Sequence, residues 1–161
     1  MRLIVLAALA AALATPAMAQ NAGQIAQVAR GGSCSGCNLF QADLSGKERS
    51  GQNLSRSRLR QADLSLAVMN RASFAGADLR DVNAYGGVFG GANFSGADLT
   101  NATFVGAFLE GASFRGANLT GTNFSGAEMD RAGGLTQAQL DKACGDEATR
   151  LPRGLRIPAC R

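Results

Sequence analysis

A five-residue period runs through most of this chain and constrains its fold more than any other feature. Between residues 77 and 126 the consecutive fives read ADLRD, VNAYG, GVFGG, ANFSG, ADLTN, ATFVG, AFLEG, ASFRG, ANLTG and TNFSG. A small residue, usually Ala, stands two positions before a Leu or Phe, and Gly often stands two positions after it. Five matches neither the 3.6-residue period of a helix nor the two-residue period of a strand. A fixed short period instead indicates a solenoid.

The repeat fits a short extended segment followed by a corner, with the small and bulky apolar residues pointing inward. It resembles the pentapeptide-repeat family, whose repeat reads roughly A-(D/N)-L-x-x, and the resemblance extends over residues 37–131. The resemblance implies an all-β fold, a right-handed quadrilateral β-helix (a β-solenoid) in which four fives make one coil. Residues 37–131 would then form nearly five coils, with residues twenty apart stacked on one another.

The columns that this stacking implies are almost entirely apolar, as a shared core requires. Gly at the corners is suited to the positive φ of a tight bend. We number the four sides of the coil as faces one to four. Their central residues are Leu39, Leu59, Leu79, Leu99 and Leu119; Leu44, Leu64, Ala84, Phe104 and Phe124; Arg49, Met69, Phe89, Leu109 and Met129; and Leu54, Phe74, Phe94 and Phe114.

Two places break this pattern. The segment KERSG, residues 47–51, puts Lys47 and Arg49 at inward positions. A buried unpaired charge is very costly, so the first coil is expected to bulge or open to solvent there. Ala84 leaves a gap between Leu64 and Phe104, which a neighbour fills or which stays as a small void.

The first nineteen residues have the pattern of a signal peptide. Arg2 is followed by an apolar run over residues 3–14 and by an A-x-A cleavage site at residues 17–19. The mature chain is therefore predicted to begin at Gln20. This predicts an exported protein, periplasmic or secreted, without a transmembrane segment after cleavage.

Four cysteines remain in the mature chain, and an even number in an exported protein suggests disulfides. The implied β-helix places one pair at each end of the rod, which favours pairing of Cys34 with Cys37 and of Cys144 with Cys160. The alternative for Cys34 and Cys37 is a redox C-x-x-C site, which needs a strand-to-helix context and a lowered thiol pKa. A zinc site would need all four together.

The segments flanking the repeats are predicted to cap the rod. Residues 132–161 contain Thr136 as a helix N-cap with Gln139 completing a capping box. This predicts a short helix over residues 137–144 that closes the last coil, followed by a tail closed by a disulfide. Residues 20–36 contain Ile25 and Val28, three positions apart, which fit either a weak helical turn or a disordered lead.

The sequence carries no catalytic constellation. It has no His, and it lacks a nucleophile motif, a P-loop and a dinucleotide-binding fingerprint. The Asp and Asn residues before the centres, Asp78 and Asp98 among them, are interpreted as stacked polar ladders and not as paired catalytic acids. The prediction is a non-enzymatic protein with no cofactor and no metal.

Two groups of outward positions depart from the polar rule. The apolar patch lies on faces two and three, where it predicts a surface for a protein partner or a second copy, unless a chain end covers it. The basic patch lies on face one and suits an acidic glycan, a lipid head group or another protein, or is a solvated face. The apolar patch comprises Leu66, Val68, Tyr85, Val88, Val105 and Phe108, and the basic patch comprises Arg56, Arg58, Arg60 and Arg80.

These features favour a structural or protein-interaction module of the cell envelope. The alternative is an envelope thiol/disulfide redox protein that uses Cys34 and Cys37. A third class, suggested by the family resemblance, is a DNA mimic that binds topoisomerases. That role suits an acidic cytosolic rod, whereas this chain has a formal net charge of +4 and a predicted signal peptide, so binding to nucleic-acid enzymes or to nucleic acid is disfavoured.

Overall fold

The computed structural model describes residues 21–161 of the chain. The predicted signal peptide, residues 1–19, lies outside the described residues. Two helices are present in the described part, α1 (Ala22–Ala29) before the repeats and α2 (Gln137–Leu140) after them. Neither helix is long and apolar enough to cross a membrane.

The repeats form a ladder of parallel backbone pairings between residues twenty apart. The series begins with Asn38 paired with Arg58 and continues through Ser113 paired with Gly133. Each pairing is an isolated bridge, and residues 21–161 contain no longer strand, because the chain turns a corner every five residues. The Leu39 N–H donates to the Arg58 carbonyl at 2.8 Å, and the Arg58 N–H donates back to the Cys37 carbonyl at 2.8 Å. The chain is thus a quadrilateral β-helix.

From residue 36 to residue 126, every corner places one residue in the left-handed region of φ. Gly96, with φ of 66°, is typical, and Gly occupies most of these positions as the sequence predicts. Other residues take the same conformation, including Gln61 with φ of 60° and Leu66 with φ of 56°. A bulky side chain in this conformation costs about 1–2 kcal/mol relative to Gly, so the geometry of the fold is imposed on these positions.

The inward columns form one continuous core, as the stacking predicts. On face four the Phe74 and Phe94 rings stack at 5.1 Å between centroids, and the Phe94 and Phe114 rings stack at 5.2 Å. Near the gap expected at Ala84, the Phe89 ring lies over Gly87 and packs edge-on against the Phe104 ring, with 5.7 Å between centroids. Since Gly87 has no Cβ, the ring can occupy that space.

The N-terminal lead is an ordered helix, so the disordered alternative does not hold. Asn21 caps α1 by accepting a hydrogen bond from the Gln24 N–H at 3.1 Å. Val28 is fully buried against the core. The buried Gln52 side chain fixes the end of α1 by donating to the Val28 and Gly32 carbonyls at 3.0 and 2.9 Å.

The first coil does not bulge at residues 47–51, which corrects one of the two expectations for this segment. Glu48 pairs with Val68 in register, and the Val68 N–H donates to the Lys47 carbonyl at 2.9 Å. Lys47 is exposed, as the second expectation allows. The Arg49 guanidinium donates from Nε and Nη2 to the Ala29 carbonyl at the end of α1, which gives the charge a partner.

The C-terminal helix is shorter than the predicted residues 137–144. α2 ends at Leu140 although its capping box, between Thr136 and Gln139, forms as predicted. The reason is that Cys144 adopts the extended pairing of the ladder opposite Asn123. The tail continues in the same way, with Arg150 paired with Glu128. The tail sequence shows no repeat, so these added pairings with the β-helix were not predicted.

Candidate functional site

The six residues of the apolar patch lie together on one side of the β-helix. Val68, Val88 and Phe108 form a single column on face three, joined by the bridges between Val68 and Val88 and between Val88 and Phe108. At the adjoining corner the Leu66 N–H donates to the Tyr85 carbonyl at 2.8 Å, so Leu66 and Tyr85 are neighbours in successive coils. Val105 lies one coil beyond Tyr85, where its carbonyl accepts from the Gly86 N–H at 2.9 Å.

The patch is open to solvent. Leu66 is 61% exposed, Tyr85 55% and Phe108 38%, and these are the exposed large apolar residues of the described chain. The three valines are half-buried. Neither α1 nor the C-terminal tail covers the patch, because its largest side chains stay exposed with both segments in place.

Glycines in the middle coil leave room for the side chains of this surface. Leu66 Cδ2 lies 2.9 Å from the position that a Cβ on Gly86 would occupy, and Phe108 Cε1 lies 3.1 Å from the corresponding position at Gly90. Gly86 has a positive φ, but Gly90 does not. Gly90 is therefore favoured for its small size, because the Phe108 ring packs against the backbone where a side chain would stand. The sequence signal for this feature is the run YGGVFGG at residues 85–91.

Charged residues bound the column at both ends. Glu48 stands one coil before Val68 and is exposed. Glu128 stands one coil beyond Phe108. Arg150 forms ion pairs with Glu128 at 3.4 Å and with Asp130 at 3.0 Å. The apolar column is therefore three coils long and has a polar rim, the usual composition of a binding surface.

The four arginines of the basic patch lie among carboxylates. Arg80 forms a 2.6 Å ion pair with Asp78 and approaches Asp98 at 3.7 Å, and Arg60 pairs with Asp81 at 3.4 Å. Arg56 is exposed at the corner before face one, and Arg58 is exposed on face one. Because three Asp residues stand within this group, its charge is largely offset locally.

The Asp and Asn residues that precede the centres hold the corners. The Asp98 carboxylate accepts from the Thr100 N–H at 3.1 Å, and Asn118 Nδ2 donates to Asp98 from the next coil at 3.1 Å. Asp78 accepts from the Arg80 N–H in the same way at 3.3 Å and also from Arg80 Nε at 2.7 Å, and this side-chain hydrogen bond lowers the pKa of Asp78 and raises that of Arg80. These contacts agree with the prediction of polar ladders.

The four cysteines form two disulfides at opposite ends of the rod, Cys34 with Cys37 and Cys144 with Cys160. Cys34 and Cys37 are only 8% and 5% exposed. α1 ends before Cys34, so the sulfur atoms do not lie at the N-terminus of that helix, where a thiolate would be stabilised.

A cleft of about 530 Å³ lies beside the second disulfide and is lined in part by Ser125, Asp146 and Glu147. Asp146 Oδ1 accepts from the Gly126 N–H at 2.8 Å and the Ala148 N–H at 3.1 Å. The Gly126 hydrogen bond is the main reason why the pKa of Asp146 is lowered. The carboxylate is thus engaged in fixing the tail. Residues 21–161 contain no cluster of three or more side chains suited to hold a metal ion.

Comparison with known proteins agrees with this architecture. The model of the pentapeptide repeats family matches residues 50–83 and 92–131 in eight copies. HetL, a pentapeptide repeat protein involved in heterocyst differentiation regulation in the cyanobacterium Nostoc sp. strain PCC 7120, is 32% identical over 62% of this chain, with a TM-score of 0.53. The match spans 49% of HetL, about half of its length.

Two further structures are similar. A pentapeptide repeat protein of the Arabidopsis thaliana thylakoid lumen is 32% identical over 55% of this chain and 54% of its own, with a TM-score of 0.33. A second Nostoc PCC 7120 protein is 26% identical over 86% of this chain and 91% of its own, with a TM-score of 0.36. No curated protein sequence matches the chain significantly. The repeats, the backbone ladder and the family model's match in eight copies show that residues 50–83 and 92–131 carry the repeats of the pentapeptide-repeat family.

Proposed function

We propose that this protein is a non-enzymatic, exported interaction module that binds a protein partner through its apolar patch. Its rod has nearly five coils, with α1 against part of one end and α2 and the disulfide-closed tail at the other. Within this rigid frame the patch is the surface that departs from the alternation of apolar inside and polar outside. The observation that carries the proposal is the exposure of Leu66, Tyr85 and Phe108 on one flat side.

The conformation of Leu66 supports a role in binding. Among the described non-Gly residues with positive φ, Leu66 is the one with an apolar side chain. Gly would fit this corner with less strain, and an exposed Leu contributes little to the core. A strained and exposed apolar residue beside other exposed apolar residues favours a function outside the fold itself.

The size of the patch favours a partner over a second copy. A buried aromatic side chain removes roughly 150–250 Å² from water, so this patch offers on the order of a few hundred Å². A stable interface buries about 800 Å² on each partner. Two copies meeting through the patch alone would associate weakly, whereas a partner that also contacts the polar rim gains the missing area. The mature protein is therefore expected to be a monomer by light scattering.

The test compares capture of envelope proteins by the immobilised mature chain and by the variant Leu66→Gly, Val88→Ser, Phe108→Ser. We expect a discrete protein retained by the wild type and lost with the variant, while Gln61→Gly, a corner outside the patch, retains it. Equal retention by the wild type and the patch variant would exclude the patch as the binding surface. A mass twice that of the monomer for the wild type alone would assign the patch to self-association.

The proposed export rests on residues 1–19 and on the two disulfides, which persist in oxidising compartments. N-terminal sequencing of the protein from cell fractions tests it. A mature chain that begins at Gln20 in the periplasm or medium supports export. A full-length chain in the cytosol contradicts it.

The alternative is a thiol/disulfide redox protein that uses Cys34 and Cys37. Alkylation of the native protein, with and without mild reduction, distinguishes the two functions. Four unreactive cysteines favour the interaction module, whereas selective and reversible labelling of Cys34 and Cys37 favours redox activity. Topoisomerase binding by DNA mimicry is less consistent with the formal net charge of +4, and a gyrase supercoiling assay without inhibition would exclude it.

A further inference from the structure

The first coil forms the N-terminal edge of the β-helix, and the preceding segment covers only two of its four sides. On face one the Asn38 N–H donates to Gln24 Oε1 of α1 at 2.8 Å. On face four the Asn53 N–H donates to Ser33 Oγ at 2.9 Å, and the Asn53 carbonyl accepts from the Cys34 N–H at 2.8 Å. Side chains and backbone of residues 24–34 thus satisfy these two sides.

On faces two and three residues 24–34 supply no such partner, although the Glu48 carbonyl accepts from Arg49 Nη1 at 2.6 Å. The N–H groups of Asp43 and Glu48 have no acceptor among residues 21–161. Their counterparts one coil later, Asp63 and Val68, each donate to the coil before at 2.9 Å. Residues 43–50 are therefore an open edge with unpaired backbone groups, the kind of edge to which another chain can add.

The departure from the repeat falls on this open edge. Lys47 and Glu48 are exposed there, and Asp43 lies exposed on the neighbouring face. In the coils above, the position of Lys47 is taken by residues such as Ala67, which is fully buried. The first coil has a neighbouring coil on one side only, so its charged side chains can turn to solvent. The inner coils have a neighbour on both sides and do not allow this.

α2 and the tail cover much of the opposite end of the rod. Gln139 Nε2 donates to the Phe114 and Ala117 carbonyls at 2.9 Å each, and Gly145 pairs with Ala159 in the tail. The open N-terminal edge of one copy would therefore meet α2 and the tail at the C-terminal end of another. The same edge of a second copy carries no such cover, and pairing with it gives a closed twofold arrangement and not a fibre.

We propose that Lys47, Glu48 and Arg49, which stand in place of the usual residues of the repeat, keep the open edge of residues 43–50 from pairing with the same edge of a second copy. The side chains of Lys47 and Glu48 place a charge on each side of the unpaired backbone, and pairing of two edges would remove them from water. Arg49 acts from the inside, since its bonds to the Ala29 carbonyl hold α1 over the remaining part of the end.

The first test needs no substitution and uses hydrogen exchange of the mature protein. The Asp43 and Glu48 amides are expected to exchange at least tenfold faster than those of Asp63 and Val68, their bonded counterparts. Comparable protection of all four amides in a monomer would show that the edge is not open, and would overturn the proposal.

The second test restores the repeat with Lys47→Ala, Glu48→Asn and Arg49→Leu. Light scattering is expected to show a mass about twice that of the monomer, with the Asp43 amide and that of residue 48 newly protected. The variant Lys47→Arg, Glu48→Asp, Arg49→Lys keeps the charges and is expected to stay monomeric.

If the first variant does not fold, Lys47→Ala with Glu48→Asn keeps the Arg49 contacts with α1 and serves in its place. A folded uncharged variant that remains monomeric at high concentration would overturn the proposal. Larger open-ended assemblies would also contradict it, because they require pairing with the end that α2 and the tail occupy. Neither outcome affects the apolar patch, which lies on the side of the rod.

Discussion

Cys144 lies opposite Asn123 in the backbone ladder, 21 residues earlier in the chain and not twenty. The Cys144 N–H donates to the Thr122 carbonyl at 2.9 Å, and the Cys144 carbonyl accepts from the Phe124 N–H at 2.8 Å. The disulfide to Cys160 then attaches the end of the chain to this same position. The tail is therefore built onto the last coil by backbone pairing, and the disulfide closes it.

Removal of this disulfide by Cys144→Ser and Cys160→Ser is expected to lower the free energy of unfolding by about 3 kcal/mol, the chain-entropy value for a loop of this length. Cys34→Ser with Cys37→Ser, which opens a much shorter loop, is expected to cost less. Urea unfolding of the three proteins measures the difference. A larger loss from the N-terminal pair would show that the tail is not stabilised in this way.

The close approach of Phe89 to Gly87 makes a second prediction. A Cβ on Gly87 would meet Phe89 Cε2 and would lie 2.9 Å from Phe89 Cζ in the buried core. Gly87→Ala is therefore expected to destabilise the protein by about 1–3 kcal/mol. Gly133→Ala is the matched control, because nothing lies within 4 Å of its Cβ position and its φ is not positive. Equal stabilities of the two variants would contradict the packing described for Ala84 and Phe89.

Leu66 separates stability from binding. Leu66→Gly relieves the strained φ at a loss of exposed contacts, so the free energy of unfolding should stay unchanged or rise by up to about 1 kcal/mol. Gln61→Gly, at the same corner geometry, should behave alike. Partner binding should fall only for Leu66→Gly. If binding survives this change, or if Leu66→Gly unfolds the protein, Leu66 belongs to the fold and not to a binding surface.

The sequence predicted the repeat well because each coil packs the same residue types at the same positions. The column of Val68, Val88 and Phe108 could be identified from the five-residue frame alone. The position of Arg49 could not, because its partner, the Ala29 carbonyl, belongs to a helix outside the repeat. The pairing of Cys144 was missed for a similar reason. The segment with α2 makes the spacing from Asn123 to Cys144 one residue longer than one coil of the repeat, and the tail carries no repeat pattern.

The Asp146 carboxylate is expected to make the stability of the protein depend on pH. Its pKa is lowered mainly by the hydrogen bond from the Gly126 N–H, and also by that from Thr149. A carboxylate with a lower pKa in the folded state stabilises the protein above its unfolded pKa of about 3.9, and this stability is lost as the pH falls through the folded pKa. Asp146→Asn should therefore be less stable than the wild type at pH 7, with a difference that narrows below about pH 4. Thermal unfolding over this range measures it, and a difference independent of pH would contradict the role of the charge.

The most direct measurement of the proposed binding surface is site-specific photo-crosslinking in cells. A photoreactive phenylalanine derivative replaces Tyr85 in the patch or, as control, Asn118, which is exposed on face one. One discrete crosslinked product is expected from position 85, with a mass other than twice the monomer, and none from position 118. No product from position 85, or the same products from both positions, would contradict it.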